Sequence, residues 1–225
     1  MPMANIYFND ADFPDMKNEY VLWVDIMGTK SCMGSSVRTS SIFICKLHAA
    51  IIEAKTASIS VYPMMDGAYI VSESEDAMKK FINKLFYSLS DVLINENVDY
   101  HKFLIKGAIA YGPVIHGKDI PRSCSASFTK DQDYVDNILL GLPMIQASKG
   151  EKMAPPFGIY CDESVRIASK EFAHRWYKWF SPSKGKSVKS AIKKYFEYSK
   201  AHYYEIDYPL EKINEHMEKA EQYFS

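Results

Sequence analysis

Two apolar runs in this chain are each broken by a single aspartate, and that restricts what either run can become. The first is Val21-Leu22-Trp23-Val24-Asp25-Ile26-Met27-Gly28, and the second is Ile59-Ser60-Val61-Tyr62-Pro63-Met64-Met65-Asp66-Gly67-Ala68-Tyr69-Ile70-Val71. Both read as buried strands. A carboxylate at the end of a buried strand costs free energy unless a cation pairs with it. Two of them on adjacent strands make a divalent-metal site of the kind used in chemistry on a nucleoside triphosphate.

The order of elements says whether the two can meet. Residues 19–27 predict a first strand. Val37, Ser41, Ile44, Cys45, His48, Ile51 and Ile52 recur at helical spacing as far as Ala54. Residues 57–64 alternate, Asp66-Gly67 reads as a hairpin dipeptide, and residues 68–72 return. Ser74 opens a helix whose face is Phe81, Leu85, Leu89, Val92 and Leu93. Residues 102–111 predict a further strand, and 112–134 a long loop, a feature that is often functional. A helix over 139–149 closed by Gly150, a strand over 157–161 and a helix from Asp162 to about Phe172 follow. Residues 173–204 are rich in aromatics and lysine, with a turn over 181–187, and 209–224 predict a polar helix. The expected class is α+β: a ferredoxin-like βαββαβ core with a C-terminal helical extension. The expected division is a lead-in over 1–18, a domain over 19–172 and an extension over 173–225 packed on it. The usual strand order of that core sets the first strand beside the third, so Asp25 and Asp66 converge.

Bulk properties exclude several classes. A chain of 225 residues with 47% hydrophobic residues supports a sizeable core, and a net charge of −1 gives no field favouring nucleic acid or anionic membrane. Cys32, Cys45, Cys124 and Cys161 form no CxxC pair, as expected of reduced thiols. No apolar run approaches the ~20 residues of a membrane span, and the N-terminus lacks a signal-peptide pattern; the expectation is a cytoplasmic protein with no nucleic-acid or membrane partner. Gly28-Thr29-Lys30-Ser31 and Gly185-Lys186-Ser187 resemble the end of a P-loop, but the required first glycine falls at Trp23 and Phe180.

Val24-Asp25-Ile26-Met27-Gly28-Thr29, Met65-Asp66-Gly67-Ala68-Tyr69 and the run Ile105 to Gly117 resemble, in that order, the two metal motifs and following strand of the class III nucleotidyl cyclases. Gly141 to Glu151 and Phe157 to Tyr160 resemble that family's later helix and strand, so the likeness covers residues 18–170. Two departures stand out. Purine cyclases place a base-reading lysine or glutamate where Tyr62 stands, and an Asn and an Arg one turn apart where Ile145 and Lys149 stand. A tyrosine in a short chain is most similar to the bacterial Pycsar pyrimidine cyclases. A bulky Tyr62 suits a small ring by shape and stacking, although a half-buried strand tyrosine is the plainer reading of that residue.

The resemblance implies a cytoplasmic homodimer with shared sites that cyclises UTP or CTP, with cyclic UMP weakly favoured, as an alarm read by a separate receptor during phage infection. It implies two Mn²⁺ or Mg²⁺ ions per site held by Asp25, Asp66 and the Ile26 backbone. Gly28 and Thr29 would wrap the phosphates. Lys149, then Lys106, then Arg122 are the candidate cations for the reacting phosphate, with Lys149 acting on the other subunit; as a bare residue type, Lys149 is more often a solvated helix-end lysine. The alternatives are a purine cyclase and a catalytically silent nucleotide-binding relative.

Overall fold

The computed structural model describes residues 8, 10–29, 33–34, 36–202 and 210–225. Of the sequence readings, residues 1–7 and 9 of the lead-in, Lys30 and Ser31 of the P-loop-like run, Cys32, and 203–209 of the extension lie outside the described residues.

The elements are β1 (Lys17–Ile26), α1 (Val37–Ala54), β2 (Ser60–Met64), β3 (Gly67–Ser72), α2 (Glu75–Asn95), β4 (Ile105–His116), α3 (Gln132–Asp136), β5 (Leu139–Gly141), α4 (Leu142–Gly150), β6 (Ile159–Cys161), α5 (Glu163–Ala168), β7 (Trp176–Tyr177), α6 (Pro182–Ala201) and α7 (Leu210–Tyr223). The strands form one sheet in the order β2-β3-β1-β4-β6-β7, with β5 on the far part of β4. β1 lies antiparallel between β3 and β4, as the ferredoxin-like reading expects.

Strand alternation divides β1 between two faces. Tyr20, Leu22, Val24 and Ile26 enter the main core with Phe43, Leu47 and Ile51 of α1 and Met78, Phe81, Leu85 and Leu89 of α2. Those helical positions recur every three or four residues, and each helix starts at a serine whose hydroxyl accepts a backbone N–H: Ser36 from Thr39 and Ser74 from Ala77. Burial of each large side chain contributes roughly 1.5–3 kcal/mol, so this face dominates stability. Val188, Ile192 and Phe196 of α6 and Ile213 and Tyr223 of α7 belong to the same core.

The other face carries Glu19, Val21, Trp23 and Asp25. On β4 its partners are Gly112, Ala110, Ala108 and Lys106. Small residues there admit α4 close to the sheet: a Cβ on Gly150 would lie 3.3 Å from the Ala108 Cβ and 2.8 Å from the Tyr160 ring, and one on Gly112 would lie 3.1 Å from Pro143. Beyond α4, Val21, Tyr62, Val71, Val114 and Leu139 form a smaller apolar cluster.

Several boundaries differ from the sequence reading. β4 continues through Gly112-Pro113 to His116 because Lys17–Glu19 pair with it, so the long loop begins five residues later. Leu139–Gly141 form a strand against His116–Val114, and the helix starts only at Leu142. The helix after Asp162 ends at Ala168. Residues 181–187 are a helix start: Ser181 caps Lys184 and Pro182 takes a first-turn position. Gly185 sits inside that helix because a Cβ would strike the Phe180 ring at 2.7 Å.

Candidate functional site

Asp25 is the penultimate residue of β1 and pairs in register with Gly67 on one side and Lys106 on the other. The β2–β3 turn is Met65-Asp66, between the paired residues Met64 and Gly67. Met65 takes the unusual φ of 51°, and Gly67 is already strand. The glycine is required there by close approach, since a Cβ would stand 2.5 Å from the Val24 carbonyl oxygen and 2.8 Å from the Trp23 ring. The Asp-Gly pair is therefore not the turn itself. Asp66 lies beside Asp25 because the hairpin is pressed against β1.

The electrostatics mark Asp25 as the unusual residue. Burial first, then the Asp66 carboxylate, then Glu151 push its carboxyl from the ordinary 3.8 up to about 7, against the pull of Lys106 and the Ile26 N–H. Its Oδ1 is buried without a hydrogen-bond partner. A buried oxygen with no donor, next to a second carboxylate, is an arrangement that a bound cation resolves. Among the described residues no group of three or more His, Cys, Asp or Glu gathers as a metal cluster. The donor set offered is two carboxylates and backbone oxygen, which suits a hard divalent ion that keeps some of its water.

Lys106 is the cation beside the pair, and its ammonium lies 2.8 Å from Glu151 Oε1 with side-chain exposures of 15% and 10%. Neither Glu151 nor the α7 residue His216 was suggested by sequence. His216 is held down to about 4, by burial and then by the Lys106 charge, so α7 reaches the edge of the site. Glu151 follows directly on α4, and an acid at that point opposite a strand lysine was the one local signal available.

The remaining candidates are spread out. Gly28 has φ 77°, Thr29 is buried, and the Thr29 hydroxyl donates to the Ile26 carbonyl at 3.0 Å, shaping the turn after β1. That carbonyl keeps a second lone pair. Lys149 is exposed in the last turn of α4, one turn from exposed Ile145, and makes no ion pair among the described residues. Arg122 is engaged within the 117–136 loop, donating to Asp136 at 2.7 Å, Gln132 at 2.8 Å and the Gly117 carbonyl at 3.3 Å. Tyr62 is buried, with its hydroxyl on His116 Nδ1, and His116 Nε2 lies 2.8 Å from Glu19 Oε1. The structure thus brings Asp25, Asp66 and Lys106 together, with Gly28 and Thr29 in the adjoining turn. It sets Tyr62, Lys149 and Arg122 in other surroundings.

No family model and no curated protein matches the sequence. Solved structures do match. A bacterial light-regulated adenylyl cyclase shares 16% identity over 62% of this chain and 71% of that one, with a TM-score of 0.50. The guanylate cyclase domain of RhGC from Catenaria anguillulae, in complex with GTP, shares 14% over 70% and 84%, at 0.51. Adenylate cyclases from Trypanosoma brucei in their monomeric state share 11% over 72% and 82%, at 0.51. At these identities the likeness is one of architecture: the chain has the mixed α+β fold of class III adenylyl and guanylyl cyclase catalytic domains.

Proposed function

We propose that this protein is a nucleotide cyclase that converts UTP or CTP to the 3′,5′-cyclic monophosphate and pyrophosphate. The observation that carries the reading is the Asp25–Asp66 pair, with Asp25 Oδ1 buried and unpartnered, on the face of the sheet opposite the main core. The fold it sits in is shared with solved adenylyl and guanylyl cyclases. Asp25, Asp66 and the Ile26 carbonyl would hold Mg²⁺ or Mn²⁺, which supplies charge to activate a ribose 3′-hydroxyl and to stabilise leaving pyrophosphate. In the reaction the 3′-oxygen bonds to the α-phosphorus, the bond to the β-phosphate bridging oxygen breaks, and the hydroxyl proton passes to solvent. The turn at Gly28 and Thr29 would bring backbone N–H groups to the phosphates, with Gly28 supplying the left-handed step, while the Met27 N–H stays on the Leu104 carbonyl. Lys106 holds positive charge beside the carboxylates, and Glu151 fixes its position.

A second copy of the chain completes the site in this reading. Met65 of the hairpin tip and Leu142 and Ile145 of α4 are exposed at 87%, 60% and 53%, which is apolar surface suited to a homodimer contact. Lys149, on the exposed surface of α4 one turn from Ile145, would then serve the partner's aspartates as the cation on the reacting phosphate. The pyrimidine choice rests on Tyr62 at the base-reading position. The product would act as a cytoplasmic alarm of phage infection, read by a separate receptor. A purine substrate is the second reading, favoured by the fold's likeness to adenylyl and guanylyl cyclases.

The test is turnover of ATP, GTP, UTP and CTP separately with Mn²⁺, with mass spectrometry of the cyclic products and Asp66→Ala as control. One cyclic pyrimidine, lost in the variant while sedimentation shows the same dimer, supports the proposal. A cyclic purine moves the assignment to the second reading. Turnover retained by Asp66→Ala removes the metal assignment.

A further inference from the structure

At the other end of the α4-covered sheet face, Glu19 and His116 join Tyr62 in a buried polar cluster. Glu19, Tyr62 and His116 are exposed by only 4%, 6% and 5%, yet their polar atoms are joined in a chain: Tyr62 hydroxyl to His116 Nδ1, and His116 Nε2 to Glu19 Oε1 at 2.8 Å. They come from three strands, β2, β4 and β1. Three titratable groups buried at one point are costly to keep, and an apolar set of the same shape would stabilise the sheet better.

Resting on the pyrimidine-cyclase reading, we propose that Glu19 and His116 are positioning residues that fix the direction of the Tyr62 hydroxyl. The phenol oxygen is thereby offered to an incoming base as an acceptor, and this sets the preference between uracil and cytosine. The chemistry follows from the donor inventory. In this proposal the Glu19 carboxylate accepts from His116 Nε2–H, and His116 Nδ1 accepts from the Tyr62 hydroxyl. The hydroxyl keeps that proton at all ordinary pH, because burial and then the Glu19, Asp119 and Asp136 carboxylates push it up to about 12. What remains on the phenol oxygen is lone pairs, which reward an N–H and repel a ring nitrogen's lone pair. Uracil N3 carries a hydrogen and cytosine N3 does not, while at position 4 the two bases reverse. An oxygen of fixed polarity therefore separates them at whichever of these edges it meets.

Two adjoining clefts, which share Ser60 and Lys118, border the cluster. Glu19 and His116 border a cleft of about 330 Å³ together with Ser58, Ser60 and Lys118. Tyr62 borders one of about 380 Å³ with Lys118, Asp136 and Asn137.

The experiment compares kcat/KM for UTP and CTP in the unaltered protein, Glu19→Gln, Tyr62→Phe and the double variant. Glutamine is isosteric but offers both N–H and carbonyl, so it permits either ring tautomer and releases the Tyr62 hydroxyl. The selectivity ratio is expected to fall about tenfold toward one in each single variant, the value of one hydrogen bond's polarity. The double variant should be no less selective than Tyr62→Phe alone. A merely structural cluster would lower both substrates in proportion, and a ratio unchanged in Glu19→Gln overturns the proposal while leaving the cyclase reading intact. If the unaltered protein binds without turnover, the ratio of dissociation constants carries the same test. Exclusive cyclic purine, or no nucleotide bound at all, overturns both the pyrimidine reading and this one. Should Glu19→Gln not fold, ¹⁵N spectra of the His116 ring in the unaltered protein decide: Nε2–H with bare Nδ1 is expected, and a proton on Nδ1 overturns the proposal.

Discussion

Replacing Asp25 by asparagine should stabilise the metal-free protein, and the gain should depend on pH in a defined way. The Asp25 carboxyl is raised from 3.8 to about 7. Between those values the folded protein holds a proton that the unfolded chain has lost, so the contribution of Asp25 to stability falls as pH rises through the window and is flat above it. About three pH units at ~1.36 kcal/mol each give a ceiling of roughly 4 kcal/mol. Solvent reaching the partly buried carboxyl reduces this to about 2 kcal/mol. For a domain of this size that is a gain in Tm of roughly 4–8 °C for Asp25→Asn over the unaltered protein at pH 8. At pH 4 the difference should vanish. The assay is thermal unfolding from pH 4 to 8 in chelator, then in Mn²⁺. The ion should reverse the ranking, since at a hundredfold excess over Kd it stabilises the protein that binds it by about 2.7 kcal/mol, and Asp25→Asn forfeits a ligand. A Tm difference that does not grow between pH 4 and 7, or a Mn²⁺ shift equal in both proteins, would refute the reasoning.

Gly67→Ala should cost about 1–3 kcal/mol in urea unfolding, because its Cβ would meet the Val24 carbonyl oxygen at 2.5 Å; an unchanged midpoint would show that the hairpin does not press on β1. Lys106→Met should cost about 3–5 kcal/mol by leaving Glu151 as an unpaired buried charge, and adding Glu151→Met should recover most of it. If the double variant is no more stable than the single one, the 2.8 Å pair is not what holds this end of the sheet. Ile145→Asp should shift the sedimenting species from dimer to monomer and lower turnover at least ~100-fold; an unaltered dimer with full turnover would remove α4 from the proposed interface.

What could be read from sequence was whatever is local. The β-α-β-β-α-β order, the serine start of α2 and the position of Asp25 at a strand end depend on neighbours a few residues away. The convergence of Asp25 and Asp66 was also legible, because a hairpin and a known strand order fix it. Gly112-Pro113 looked like loop because the partners that keep it in the sheet, Asn18 and Glu19, are more than ninety residues away. His116 fell in the same predicted loop for the same reason, its contact with Glu19 spanning 97 positions. Gly185 carried a turn signal, but its absent side chain makes room for Phe180. Glycine reports close approach as readily as it reports a turn, and a single sequence does not separate the two.

The two polar clusters also bear on how the site would be assembled. Asp25 and Glu19 lie on one strand, six residues apart, which at ~3.3 Å per residue is about 20 Å. That is further than a nucleoside's base stands from its α-phosphorus. A nucleotide held at the Asp25–Asp66 pair would not place its base on the Tyr62 hydroxyl of the same chain, because that hydroxyl points toward His116 and Glu19. Two chains arranged head to tail can place the base cluster of one opposite the carboxylates of the other. Exposed apolar residues on the hairpin tip and on α4 lie on the elements such an arrangement would bring together. The selectivity cluster and the reacting centre would then belong to different subunits, so mixing Tyr62→Phe with Asp66→Ala protein should yield heterodimers with one intact site and one site lacking both functions. Each parent alone would lack either selectivity or turnover at every site.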